Sequence, residues 1–200
     1  MTKIASLIIV SIIIIFSFFI FRGEINEEIL EVKNMEKVIF KTKDGVDIHG
    51  SYFKTGDNNA PAVILLHMMP ATKESWYDMQ EKMATAGFQS LAIDFRGHGE
   101  SILKNGLEIN YQNFNDKEQQ EKIYDVEAAV KFFEEKGIPK GKISLVGASI
   151  GANLALQYQS ENKEIKTSVL ISPGLDYRGV TTEDKISKLS GEQSVLFASG

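Results

Sequence analysis

The chain has 200 residues, of which 43% are hydrophobic and 24% are charged, and these values are ordinary for a globular protein. The formal net charge of −5 argues against nucleic acid as a partner, because a basic face would require an even more acidic remainder. The absence of cysteine excludes disulfides, thiolate metal sites and cysteine nucleophiles.

The amino-terminal segment, residues 1–22, is predicted to be a transmembrane anchor, with a cleaved signal peptide as the alternative. Its apolar part, residues 4–21, carries no charge and is long enough to span a bilayer. Lys3 and the α-amino group slightly outweigh Arg22, which favours an extracytoplasmic domain, membrane-anchored or secreted after cleavage. The acidic residues 23–36 are predicted to form a juxtamembrane stalk.

The folded domain is predicted to begin at residue 37 with a β-hairpin. Asp44-Gly45 lies between two β-rich runs, and an Asp-Gly pair in this position is a strong hairpin signal. His49 occupies an alternating position in the second run, so we expect it at the surface or at the sheet edge.

Apolar runs and helical patterns then alternate along the chain. Strands are predicted at residues 62–66, 89–94, 143–146, 167–172 and 194–199. Helices are predicted at residues 72–86, 117–136, 150–160 and 181–190. Residues 102–116 have no clear period and are predicted to be a long polar loop. This order predicts an α/β fold, antiparallel at its start and mostly parallel afterwards, with helices on both faces of the sheet.

The segment Gly147-Ala-Ser149-Ile-Gly151 lies where a predicted strand turns into a predicted helix. The G-x-S-x-G spacing is typical of a nucleophile elbow, in which a strained serine projects its hydroxyl from the top of a sheet. Side chains at the two glycine positions would collide in so tight a turn. The helix would also direct unpaired N–H groups toward negative charge near Ser149. The alternative is an ordinary turn with Ser149 as a helix N-cap.

Two further motifs follow predicted strands: His67-Met68-Met69, and the glycine-rich DFRGHGES at residues 94–101. Together with the elbow, and in this order, they resemble the α/β-hydrolase superfamily, in particular its dienelactone-hydrolase-like and serine-aminopeptidase-like branches. The resemblance covers residues 38–200. It implies a serine hydrolase that acts on an ester, thioester or peptide-like acyl bond of a small-molecule substrate.

The resemblance also implies a role for individual residues. Ser149 would attack the acyl carbonyl and form an acyl-enzyme. Backbone N–H groups of Ile150 and Met69 would hold the oxyanion, with Met68 as the alternative donor by a one-residue slip. The superfamily usually has glycine where Met68 stands, but a main-chain donor does not depend on the side chain.

His67 and His98 are expected to support the site rather than to act as the base. His67 would brace the oxyanion loop by hydrogen bonding, and His98 would stabilise the glycine-rich loop that Arg96 anchors. A metal site formed by His67, His98 and Asp94 is conceivable, but neither the ligand spacing nor a third strong ligand supports it. We therefore expect no metal and no cofactor.

The acid and base of the expected triad are not evident in this sequence. The superfamily places them after the serine, whereas His98 is the last histidine of the chain. Asp176 is a candidate acid, although a turn-capping role is preferred, and Asp184 is expected in the first turn of a helix. The resemblance thus implies a C-terminally truncated domain without its last strand and helices, so activity is expected only in a full-length form.

A different class of function stays open, namely a non-catalytic protein of the same fold that binds a ligand or partner. A nucleotide-binding α/β protein is disfavoured, because the chain lacks both the G-x-G-x-x-G and the G-x-x-x-x-G-K-[ST] patterns.

Overall fold

The computed structural model describes residues 35–199 of the chain. The predicted membrane anchor or signal peptide and nearly all of the predicted stalk lie outside these residues. No helix within residues 35–199 is both long enough and apolar enough to cross a membrane. The first strand begins at Met35, two residues before the predicted start of the domain.

A mostly parallel sheet forms the centre of the domain. Eleven strands lie within the described residues: β1 (Met35–Lys41), β2 (Val46–Phe53), β3 (Ala62–Leu66), β4 (Gln89–Ile93), β5 (Leu103–Lys104), β6 (Leu107–Glu108), β7 (Ile143–Ala148), β8 (Thr167–Ile171), β9 (Asp176–Tyr177), β10 (Val180–Thr181) and β11 (Ser194–Ala198). Nine of them form the main sheet, in the order β11-β8-β7-β3-β4-β2-β5-β6, with β1 also paired to β2. Strands β9 and β10 form a separate antiparallel pair.

The strand directions agree with the predicted fold class. Strands β4, β3, β7, β8 and β11 run parallel to one another, and β2 runs antiparallel to β4. Every residue of β3 and β4 is buried, as expected for strands covered on both faces. The hairpin between β1 and β2 turns at residues 42–45, where the N–H of Gly45 donates to the carbonyl oxygen of Thr42 at 3.0 Å. The predicted α/β architecture with an antiparallel amino-terminal hairpin is confirmed.

Helices cover both faces of this sheet. The α-helices are α1 (Tyr77–Thr85), α2 (Asp116–Gln120), α3 (Ile123–Glu135), α4 (Ile150–Glu161) and α5 (Glu183–Ile186), and a 3-10 turn (Lys73–Trp76) precedes α1. Alternate residues of β3 point to opposite faces: Ile64 packs in the core cluster with α3 and α4, and Leu65 packs with Trp76 on the other face. The apolar residues of α3 thus pack on the face of the sheet that carries Ile64.

Three regions differ from the sequence-based prediction. The predicted helix 181–190 is only α5, Glu183–Ile186, because residues 180–181 pair with β9 as a strand. The predicted loop at 102–116 contains the β5–β6 hairpin, which pairs with β2 at the sheet edge. Its turn is Asn105-Gly106, with φ of 52° and 81°, and an Asn-Gly pair favours this conformation. The predicted helix 117–136 is two helices, α2 and α3, although the apolar period continues. Residues 121–122 between them form a turn, in which the N–H of Lys122 donates to the carbonyl oxygen of Gln119 at 3.3 Å.

Candidate active site

Ser149 connects β7 directly to α4. Its backbone has φ of 53° and ψ of −123°, a region that non-glycine residues rarely occupy. Its N–H donates to the carbonyl oxygen of Ile171 in β8 at 2.9 Å, which holds the turn against the neighbouring strand. The hydroxyl makes no capping hydrogen bond and no other side-chain hydrogen bond to residues 35–199. The turn is therefore not stabilised by a serine side-chain cap.

The two glycines of the motif are required for different reasons. A Cβ on Gly147 would overlap the carbonyl group of Gly151, across the turn itself. A Cβ on Gly151 would overlap the carbonyl oxygen of Leu66 and lie 2.8 Å from that of His67, at the end of β3. The collision across the turn expected from the sequence applies to Gly147, whereas Gly151 permits α4 to start against the adjacent strand.

The loop after β3 lies beside this turn, because β3 and β7 are neighbours with Leu66 opposite Gly147. The loop closes on itself through a hydrogen bond from the N–H of Ala71 to the carbonyl oxygen of Met68 at 2.9 Å. The N–H groups of Met69 and Ile150 donate no hydrogen bond to any residue within 35–199. The two predicted oxyanion donors therefore follow the ends of neighbouring strands. Neither N–H group is used in a backbone hydrogen bond within residues 35–199.

His67 is buried and both of its ring nitrogens are engaged. Nε2 accepts the N–H of Phe95 at 3.0 Å, so Nδ1 carries the proton and donates to the carbonyl oxygen of Met68 at 2.8 Å. Burial lowers the pKa of His67 to about 4, and the ring is neutral at pH 7. His67 thus ties the loop after β3 to the end of β4.

His98, on the adjacent loop, is held through only one of its ring nitrogens. Its Nδ1 donates to the carbonyl oxygen of Arg96 at 3.0 Å, and its ring stacks on Tyr111 with centroids 3.8 Å apart. Burial first, and the Lys122 charge second, lower the pKa of His98 to about 3. Its Nε2 is buried and has no hydrogen-bond partner among residues 35–199.

The glycine-rich loop is anchored by two buried charged residues. Asp94 accepts hydrogen bonds from the backbone N–H of Lys73 at 2.8 Å and from its Nζ at 2.7 Å. Arg96 binds Asp125 through Nε at 2.8 Å, and both of its terminal nitrogens bind Asp44 at 2.9 Å. The Asp94 carboxylate is thus bound by Lys73. Within the described residues, no three His, Cys, Asp or Glu residues are grouped as metal ligands.

The two acids considered from the sequence take part in local turns. Asp176 is exposed, and its Oδ1 accepts the N–H of Gly179 at 2.6 Å in the β9–β10 turn. Asp184 lies in the first turn of α5 and accepts the hydroxyl of Thr181 at 2.9 Å.

Residues 61–193 match the family model described as alpha/beta hydrolase fold. This chain belongs to the alpha/beta hydrolase fold family.

Several relatives in this family are similar over part of their length. A bifunctional esterase/perhydrolase from Acinetobacter calcoaceticus is 29% identical over 133 residues, which cover 66% of this chain and 42% of that protein. Epoxide hydrolase 3 from Xenopus tropicalis is 26% identical over 129 residues, which cover 64% of this chain and 30% of that protein. The solved structure of the esterase Pf2001 from Pyrococcus furiosus has a TM-score of 0.56 and 28% identity, with coverage of 70% of this chain and 52% of that chain.

These relatives are an esterase/perhydrolase, an epoxide hydrolase and an esterase. The chain spans about half or less of the length of each of these relatives. The activity of the whole protein is therefore treated below as a proposal.

The buried polar residues of this alpha/beta hydrolase fold domain that were not singled out from the sequence include Asn153 and Lys122. Asn153 in α4 donates to the carbonyl oxygens of Gly174 at 2.9 Å and Val180 at 2.7 Å, and accepts the N–H of Gly174 at 3.1 Å. Lys122 precedes α3 and is also buried. Its position four residues before Val126 was a readable signal, since that spacing places it on the apolar face of the helix.

Proposed function

We propose that this protein is a serine hydrolase that cleaves an ester, thioester or peptide-like acyl bond through an acyl-enzyme on Ser149. The observation that carries the proposal is the conformation of Ser149, with φ of 53° at a strand-to-helix turn and a hydroxyl without a hydrogen-bond partner among residues 35–199. Such strain persists only where the surrounding structure enforces it, and it is concentrated at functional sites.

In the proposed reaction, Ser149 Oγ attacks the acyl carbonyl carbon while a general base takes the hydroxyl proton. The carbonyl oxygen becomes an oxyanion, which the N–H groups of Met69 and Ile150 stabilise together with the N-terminus of α4. The tetrahedral intermediate then collapses, and the alcohol, thiol or amine leaves with the proton. Water repeats the attack on the acyl-enzyme, which releases the acid and restores the serine.

The three histidines of this sequence are poor candidates for the general base. His67 uses both ring nitrogens in hydrogen bonds, and His98 uses one nitrogen while the other is buried. His49 is on β2, three strands away from β7 in the sheet, which corresponds to about 14 Å at the usual strand spacing. We therefore propose the hydrolysis for a full-length form in which an acid and a histidine outside residues 35–199 complete the site.

The test uses this chain with imidazole as an external base. A fluorophosphonate probe is incubated with the chain over a series of imidazole concentrations, and the labelled residue is identified by peptide mass spectrometry. We expect imidazole to accelerate labelling of Ser149, because the proposed oxyanion donors, the N–H groups of Met69 and Ile150, make no backbone hydrogen bond within residues 35–199. The rate should exceed that of Ser172 on the order of 100-fold, the typical contribution of one oxyanion donor.

Ser172 is the matched control, since it also follows a parallel strand and has a positive φ of 48°. The Ser149→Ala variant should lose the imidazole-dependent labelling entirely. Equal labelling of Ser149 and Ser172 would contradict the proposal and would favour a non-catalytic binding protein.

A further inference from the structure

Lys122 makes a close contact with the loop that carries a proposed oxyanion donor. Its side chain is fully buried at the junction of α2 and α3. Nζ donates to Oε1 of Gln119 at 2.5 Å and lies 3.7 Å from Sδ of Met69. The ring of Phe95 lies on another side, with its centroid 5.8 Å from Nζ. The ammonium group therefore contacts the side chain of the residue whose N–H is a proposed oxyanion donor.

This ammonium has no carboxylate in contact within residues 35–199. The adjacent acid, Glu121, contacts Arg96 at 3.3 Å and Lys104 at 3.6 Å, and Asp125 is bound by Arg96 at 2.8 Å. Lys73 is also buried, but its Nζ contacts both Asp94 and Glu100 at 2.7 Å. A buried charge without such a partner is costly for folding, so stability does not account for a lysine at position 122.

The charge of Lys122 persists near neutral pH. Burial lowers the pKa of Lys122 to about 8, Asp125 opposes this shift, and the positive charges of Arg96 and Arg178 add to it. The group is therefore still mostly protonated at pH 7. Its charge also lowers the pKa of His98 and of His67, in both cases after the larger effect of burial.

We propose that Lys122 is a positioning residue for the hydrolase site, which holds Met69 through the sulfur contact and supplies a fixed positive charge beside the oxyanion loop. The inference rests on the proposed function. The positive charge lies in surroundings of low dielectric, so it favours an oxyanion that develops near Met69 more than the neutral ground state. A side chain of similar shape without charge would keep the packing and lose this effect.

The test compares Lys122→Met and Lys122→Gln with a control, Lys131→Met, which removes the same charge from an exposed position on α3. Three quantities are measured on the full chain: the imidazole-dependent labelling rate of Ser149, the deuterium uptake of residues 67–72, and the urea midpoint of unfolding. We expect both Lys122 variants to label roughly tenfold more slowly, which is a modest loss of electrostatic stabilisation. Uptake at 67–72 should be faster.

The midpoint of Lys122→Met should equal or exceed that of the wild-type chain, because a buried unpaired charge has been removed. Lys131→Met should change neither labelling nor uptake. Slower labelling accompanied by a lower midpoint in both Lys122 variants would assign this residue to general stability and overturn the proposal. Unchanged labelling and uptake would overturn it as well.

Failure of the proposed function gives a different result. In that case the wild-type chain itself shows no imidazole-dependent labelling above Ser149→Ala. The deuterium uptake of residues 67–72 then decides by itself whether Lys122 holds the loop.

Discussion

Ser149 occupies a conformation that costs free energy, about 1–3 kcal/mol for a non-glycine residue at such a φ. The surrounding backbone enforces it from two sides. The N–H of Ser149 is bound to Ile171 in β8, and Gly151 lies against the carbonyl oxygens at the end of β3. The turn is thus determined by the two strands that flank β7 as well as by its own sequence.

Gly151→Ala tests this close approach. In an exposed helix the change would stabilise the protein by about 0.5–1 kcal/mol, because alanine is the better helix former. Here the added methyl group overlaps the Leu66 carbonyl oxygen, so we expect destabilisation by about 1–3 kcal/mol in urea unfolding.

Gly141→Ala is the control for this substitution. At Gly141 the nearest atom to a new Cβ is the carbonyl oxygen of Glu164 at 3.9 Å, so its stability should change little. A Gly151→Ala variant as stable as the wild-type chain would show that the close approach imposes no constraint.

At the scale of elements, α4 supports the segment that follows β8. Asn153 makes three hydrogen bonds to this segment, and within the segment the hydroxyl of Thr182 donates to the carbonyl oxygen of Gly174 at 2.9 Å. Because β8 is the neighbour of β7, the segment begins beside Ser149. The buried side chain of Asn153 therefore holds Gly174 and Val180, on either side of β9, against the helix of the elbow.

Asn153→Ala should loosen this hairpin. The change leaves buried carbonyl groups with fewer partners, at a cost of about 1–3 kcal/mol. Arg178, in the β9–β10 turn, is a trypsin site, and local opening of this size should raise the rate of cleavage after it on the order of tenfold.

Gln157→Ala provides the comparison on the same helix, since the amide of Gln157 makes no hydrogen bond within residues 35–199. Its cleavage rate should match that of the wild-type chain. Equal rates in all three proteins would exclude Asn153 as the anchor of the hairpin.

At the scale of the whole molecule, β11 is an edge strand of the sheet within residues 35–199. Within the described residues this strand pairs only with β8. Its side chains Leu196 and Phe197 are 61% and 53% exposed and point to opposite faces. An apolar edge strand is a template for pairing with other chains, so the domain carries a risk of association at this edge.

Phe197→Lys should reduce concentration-dependent association, measured by light scattering across a dilution series. A charge on an edge strand opposes pairing, and an exposed position should leave the free energy of unfolding within about 0.5 kcal/mol. Val195→Lys is the contrasting variant, because Val195 packs against the core and its replacement should lower the unfolding midpoint. Association that is unaffected by Phe197→Lys would place the contact elsewhere.

Much of this architecture was predictable from the sequence because its signals are local. A run such as residues 62–66 is apolar throughout only where both faces of a strand are covered, and β3 has this environment. Asn105-Gly106 is an equally local signal for the β5–β6 hairpin, but the polar residues around it lack the apolar alternation that indicates strands. The break between α2 and α3 had no such signal, because the apolar period continues across it.

The sequence by itself determined the α/β order, the strand-to-helix turn at Ser149 and the need for glycine on both sides of it. Only the tertiary structure decided which backbone Gly151 touches, how His67 shares its two nitrogens, and that Lys122 meets Met69. The physical reason is separation along the chain. Lys122 and Met69 are 53 residues apart, and no local pattern encodes a contact that arises only when a loop after β3 and the start of α3 pack together.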